Sequence, residues 1–285
     1  MGAKNCCQNG GNDGLMDGVD PVAVMQDSAR PSGDPTSVDL STTKDKLSML
    51  QELPAYAYAN GSTYTGQWLG NKRHGKGMQI WQDGAKYEGQ WQDDVAMGEG
   101  TFYHADGDIY VGQWLNDKAH GEGTYTHASG SKYEGEWRED KQEGQGCEMW
   151  PDGAIYKGLY KKGAKSGRGH FSWIDGSSYE GEFLVNDIHG YGLYKWGDGR
   201  TYEGEWDKNK MHGRGKFTWT DQRVYEGEYV LDQKHGHGLF TWPDGRKYEG
   251  QWRNGKQDGK GTFFTAQGEK REGDWKEGKR AVRAS

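Results

Sequence analysis

Tyr202-Glu203-Gly204-Glu205-Trp206-Asp207-Lys208-Asn209-Lys210-Met211-His212-Gly213-Arg214-Gly215 is one statement of a phrase that recurs along this 285-residue chain. Its tyrosine has counterparts at 64, 87, 110, 133, 156, 179, 225 and 248, and Arg271 stands in a tenth slot, so the period is 23 residues without an insertion. Each start is followed at two residues by a glycine, at four by an aromatic, and at eleven and thirteen by a glycine pair, the tenth copy stopping before the pair. Repetition at such a period means stacked supersecondary units, each unable to bury its apolar face alone.

Within a unit the apolar period is two. Tyr87, Gly89 and Trp91 alternate with Glu88 and Gln90, which predicts a strand with rings and glycines on one face and polar groups on the other. Gly98, Gly100, Phe102 and His104 predict a second strand. Polar residues such as Gly70-Asn71-Lys72-Arg73 separate the two, and Asp-Gly, a hairpin signal because both residues tolerate positive φ, separates most repeats. The expected fold is all-β: an elongated, single-layer antiparallel meander of nine full β-hairpin repeats and a partial tenth. At about 4.8 Å per strand it would advance roughly 10 Å per repeat.

Glycine is costly in strands unless a neighbouring ring covers the bare backbone, so the glycine columns read as seats for the ring columns. A single layer offers no second sheet to bury those rings. Trp68, Trp91, Trp114, Trp137, Trp206 and Trp252 are therefore expected to line a twisted groove open to a helix or extended peptide of a partner. The opposite face carries Glu134, Glu180, Glu203, Glu226, Glu249 and Glu272, with Arg168, Arg214, Lys216 and Lys260 on facing strands, and reads as a solvated ladder.

The Tyr-Glu-Gly-Glu-Trp phrase with its following His-Gly-x-Gly closely resembles the MORN repeat, over about three quarters of the chain. The resemblance implies an elongated, twisted single-layer sheet. It further implies a scaffold or partner-binding role in junctional, ciliary, cytoskeletal or plasma-membrane proteins, and no reaction. Met97, Glu143, Ser166 and Asp258 depart from the usual His, Gln222 from the turn glycine, and Arg271 from the opening ring.

Ahead of the array, residues 1–40 form a Gly-, Asp- and Ser-rich tail with too few bulky groups to fold. Residues 41–55 predict a short helix and linker: Ser41 or Thr42 as cap, Leu47, Leu50 and Leu53 on one face, and Pro54 as the stop. Its expected role is to cover the first sheet edge near Tyr56 and Tyr58. The array spans 56–279 and a frayed basic end follows at 280–285. The opening Met1-Gly2-Ala3-Lys4-Asn5-Cys6-Cys7 offers Gly2 as a myristoyl acceptor and Cys6 and Cys7 as palmitoyl acceptors. One acyl chain holds only marginally, and two or three anchor stably.

The charge balance, 36 basic against 43 acidic residues, leaves no basic stripe for nucleic acid. No apolar run is long enough to span a bilayer, and none reads as a secretion signal. Three cysteines, two of them adjacent, give neither a disulfide framework nor metal spacing. The column of His74, His120, His189, His212 and His235 cannot share a zinc ion, because equivalent positions lie roughly 10 Å apart, and each is expected to close its own hairpin. The fifth repeat gathers Lys157, Lys161, Lys162, Lys165 and Arg168 as a candidate contact for a phosphoinositide or acidic peptide. The expectation is a non-enzymatic scaffold without cofactor, acyl-anchored at the cytoplasmic face of a plasma, cortical or ciliary membrane, with self-association left open. The alternatives are direct phospholipid recognition by the repeats, and regulation of a phosphoinositide kinase acting in trans.

Overall fold

The computed structural model describes residues 49–281. They divide into an N-terminal unit, 49–151 with 160–164, and a C-terminal unit, 152–159 with 165–281. The strands form an open antiparallel sheet of twenty-one, as the repeat pattern predicts, with no helix among the described residues. The tail over 1–40, Gly2, Cys6, Cys7 and the helix expected over 41–48 lie outside those residues. Gln51, Glu52 and Leu53 are not helical: they open β1 (Gln51–Ala57), which pairs with β2 (Thr63–Leu69). Pro54 sits where the β1–β2 register shifts between Leu53 and Tyr56, a position that needs no ladder donor. The first edge is thus covered by a strand, because Leu53 and Tyr56 continue the pairing.

Each repeat is a seven-residue strand followed by a nine-residue strand, as in β2 with β3 (Lys72–Ile80) and β4 (Lys86–Gln92) with β5 (Val95–Tyr103). The alternation carries a bulge. Gly89 faces Gly100 and Trp91 faces Ala96, so Gln90 opposes the extra residues around Gly98, whose φ is +68°. The Gln90 Oε1 accepts the Glu99 N–H at 3.2 Å, and Gln67, Glu136, Glu205 and Gln251 fill the same gap in their repeats.

The tyrosine seats are literal. A Cβ on Gly77 would lie 2.1 Å from the Tyr64 Oη, which donates to the Gln67 carbonyl at 2.9 Å. Burying each such ring contributes about 2 kcal/mol.

The two turns differ from expectation. The turn inside the repeat is the one with two positive φ values, as at Asp93 (51°) and Asp94 (76°). In the Asp-Gly turn only Gly84 is left-handed, while the Asp83 Oδ1 accepts the Ala85 N–H two residues on. That loop is longer than a two-residue hairpin, with Trp81 and Ala85 closing it. Gln222 keeps the glycine conformation at φ 69°.

Repeats are fastened across a constant interval. Ala96 N–H donates to Asp117 Oδ1 at 2.7 Å while Asp117 N–H returns a bond to the Ala96 carbonyl at 3.1 Å. The same pair of bonds joins Ala119 to Asp140, Lys165 to Asn186, Ile188 to Asn209 and Met211 to Asp232. Gly163, Gly255 and Gly278 hold the slot with the backbone bond alone. The last described strands, Lys270–Lys276 and Lys279–Arg280, still pair, so the tenth unit is ordered without its opening ring and Arg280 is not frayed.

Candidate partner-binding face

The first-strand rings of the aromatic face are buried. Trp68, Trp91, Trp114, Trp137, Trp206 and Trp252 are between 1 % and 7 % exposed, so the ring-lined groove expected from sequence is not there. Each indole is tiled by its neighbours. Trp114 meets Tyr110 and the preceding repeat's Tyr87 edge-to-face at 5.2 and 5.1 Å, and its Nε1–H donates to the Gly100 carbonyl at 3.1 Å. Trp91, Trp137, Trp206 and Trp252 make the same bond to a glycine carbonyl. Rings lying along the sheet cover one another, which supplies the burial that a second layer would otherwise give.

The fifth-repeat cluster does not form a single exposed patch. Lys165 is buried with its ammonium 5.2 Å from the Tyr156 ring centroid, whereas Lys157 and Arg168 are exposed on the other face. Lys161 and Lys162 run into a hairpin turn, where Lys162 has φ 53°. Lys165 belongs to a column nine residues after each tyrosine that sequence reasoning passed over. It runs Arg73, Ala96, Ala119, Gln142, Lys165, Ile188, Met211, Lys234 and Gln257, and its irregular chemistry hid it. The His column is also reassigned. His74 Nδ1 accepts the Asp93 N–H of the next repeat at 3.3 Å, and Met97, Glu143 and Asp258 accept the corresponding N–H in their repeats. At these four positions the column bridges repeats through whatever acceptor it carries, whereas the buried His212 Nδ1 makes no such bond. No group of three or more His, Cys, Asp or Glu that could hold a metal occurs among the described residues.

The face opposite the rings is the open one. Gly204, Gly215, Gly227, Gly238, Gly250 and Gly261 pair in succession across the C-terminal unit. They form a strip of bare backbone perpendicular to the strands. Side chains along one side of the strip (Glu203, Lys216, Glu226, Leu239, Glu249, Thr262) make one wall, and those along its other side (Arg214, Glu228, His237, Lys260) make the other. Two hollows of about 600 and 1190 Å³ lie along this strip, sharing His237 and Glu249 in their linings. Glu134, Glu180, Glu203, Glu226, Glu249 and Glu272 are all exposed. Tyr191, 54 % exposed, reaches across the strip to donate its Oη–H to Glu203 Oε1 at 3.3 Å.

The MORN repeat profile matches ten consecutive segments, from 64–86 through 248–270 and 272–283. The chain belongs to the MORN-repeat family. No curated protein matches it. Among solved structures, the MORN array is similar to the TCP10 domain of Danio rerio CPAP in complex with a STIL peptide. The two are 10 % identical over 78 % of this chain and 98 % of that one, with a TM-score of 0.41. It is also similar to the Drosophila melanogaster SAS-4 TCP domain in complex with a proline-rich motif of Ana2, at 10 % identity over 79 % and 97 % and a TM-score of 0.26. Virginiamycin B lyase of Staphylococcus aureus gives 11 % identity over 79 % and 88 %, with a TM-score of 0.16. Superpositions this loose carry nothing about ligands to the MORN array.

Proposed function

We propose that this MORN array is a non-enzymatic scaffold that holds a segment of a partner protein along its glycine strip, while acyl chains on Gly2, Cys6 and Cys7 fix it to the cytoplasmic face of a membrane. The observation that carries the reading is the open strip with its two adjoining hollows, on a protein whose opening tyrosines and first-strand tryptophans on the other face are buried against one another. The floor is backbone between two rows of side chains, and the polar walls select what lies along it. The opening Gly2 with the Cys6-Cys7 pair supports the anchor.

Two experiments test the two halves. A photo-crosslinking residue at Leu239, on the wall of the strip, should capture the partner in cells, and one at Leu115, exposed in the N-terminal unit, should not. Capture from Leu115 but not Leu239 rejects the strip. Gly2→Ala should release the protein to the soluble fraction, and Cys6→Ser with Cys7→Ser should leave only transient attachment. A Gly2→Ala protein that still sediments with membranes rejects the anchor.

A further inference from the structure

We infer that the strip of the C-terminal unit receives an extended, arginine-bearing segment whose cations lie about 9–10 Å apart. This rests on the scaffold reading and specifies its ligand.

The argument begins with which charges are already matched. In the strand register Lys216 lies between Glu203 and Glu226, Arg214 faces Glu228, and Lys260 faces Asp274. Glu249 faces Leu239 and Thr262, and Glu272 faces Thr262. The two carboxylates without a facing cation, Glu249 and Glu272, therefore stand on one wall. They lie on strands two apart, which spaces them about 9.6 Å from each other.

A polyproline II segment repeats its side-chain direction every three residues, about 9.3 Å, so Arg residues three apart would meet Glu249 and Glu272 in turn. A flat β-strand would turn its third residue to the wrong side, since its side chains alternate. Arginine is the better cation than lysine. Its guanidinium is planar, bidentate towards carboxylate and weakly hydrated, and so can lie on a bare peptide floor. Tyr191 already shows the arrangement within the chain, with a planar group spanning the Gly192–Gly204 pair and a hydrogen bond to Glu203. Beyond it, over Gly227, Gly238 and Gly250, no phenol or indole stands on the walls, and the two hollows extend along the strip.

The test is fluorescence anisotropy of labelled thirteen-residue peptides with the full chain. The peptide with Arg at every third position should bind, weaken as salt rises, and lose about tenfold in affinity to the Glu249→Gln, Glu272→Gln double variant. Glu88→Gln with Glu134→Gln, in the N-terminal unit, should leave affinity unchanged. All four residues are exposed, and thermal unfolding of each variant checks the fold. A peptide with Arg at every seventh position, which matches a helix, should bind less well, as should the Lys version. The inference is overturned if the double variant binds like wild type, if the seventh-residue peptide binds better, or if anionic vesicles bind where peptides do not. Should Leu239 still crosslink a protein in cells after any of those results, the scaffold reading stands and only the ligand chemistry falls. Loss of the Leu239 crosslink removes both.

Discussion

Arg73 in the N-terminal unit and Lys234 in the C-terminal unit hold the same slot of their repeats, nine residues after the opening tyrosine, and each is a cation under the aromatic face. Arg73 is 3 % exposed and fully engaged. Its Nε lies 3.3 Å from Asp94 Oδ1, one Nη donates to the Asp94 carbonyl at 2.7 Å, the other to the Gln79 Oε1, and the guanidinium stacks 4.2 Å from Trp91. Lys234 has rings alone. Its ammonium lies 4.8 Å from Phe240, 4.9 Å from Trp219, 5.0 Å from Trp252 and 5.3 Å from Tyr225, with no carboxylate within ion-pairing distance among the described residues. Burial, aided by the repulsion of Arg223, pushes it down to about 8. The difference shows that the slot is a buried one that requires no charge. Ala96, Ile188 and Met211 occupy it equally well, and a cation there is tolerated in proportion to its partners.

Removing Arg73 should therefore have the largest effect. Arg73→Met leaves Asp94 and Gln79 facing a buried apolar chain and should cost about 3 kcal/mol, seen as faster hydrogen exchange in the first two repeats. Lys234→Met has the opposite sign: it should stabilise by about 2 kcal/mol at pH 7, since an unpaired buried ammonium is exchanged for a thioether among rings. The pH dependence follows from the depressed value. Between about 8 and 10.5 the unfolded chain binds the proton that the folded one has released, so wild-type stability rises with pH through that window and the advantage of the Met variant fades. A flat difference from pH 7 to 10 would contradict the caged-ammonium account. Asp94→Asn keeps an oxygen for the Arg73 N–H but loses the ion pair, and should cost about 1–2 kcal/mol. Asp232→Asn only fastens Met211, so its loss should stay below about 0.5 kcal/mol. The smallest expected change is Gln222→Gly, in the turn closed by Trp219: relief of a left-handed glutamine, largely offset by the backbone entropy of glycine, should leave a gain of about 0.3 kcal/mol, additive with Lys234→Met if the cage is undisturbed.

The period, the hairpins, the glycine seats and the solvated glutamates were legible because each is a column of one residue type at 23-residue spacing. The exposure of the tryptophans was not. Whether a ring stands off a sheet or lies along it depends on the Tyr87–Trp114 contact between repeats, which no single repeat contains. The fasteners had a signal, since Asp94, Asp117, Asp140, Asn186, Asn209 and Asp232 form an Asp/Asn column interrupted by Gly163 and followed by Gly255 and Gly278, but they read as ordinary turn residues. The strand at Gln51–Ala57 was missed because three leucines at near-helical spacing precede a proline, and the pairing that overrides them comes from β2. The strip on the glutamate face was hidden by its emptiness, as glycines announce the rings they seat and not the surface behind them.

The fasteners all point backwards along the chain: the Asp or Asn of each turn grips the repeat 21 residues before it. On a ribosome this makes synthesis and assembly the same sequence of events. Twenty-three residues emerge in about 1–5 s, whereas a hairpin closes in about 1–10 μs, so every repeat finds its predecessor docked and its grip waiting before the next one exists. Growth of this kind, by addition at one end, exposes at any moment only one unfinished edge.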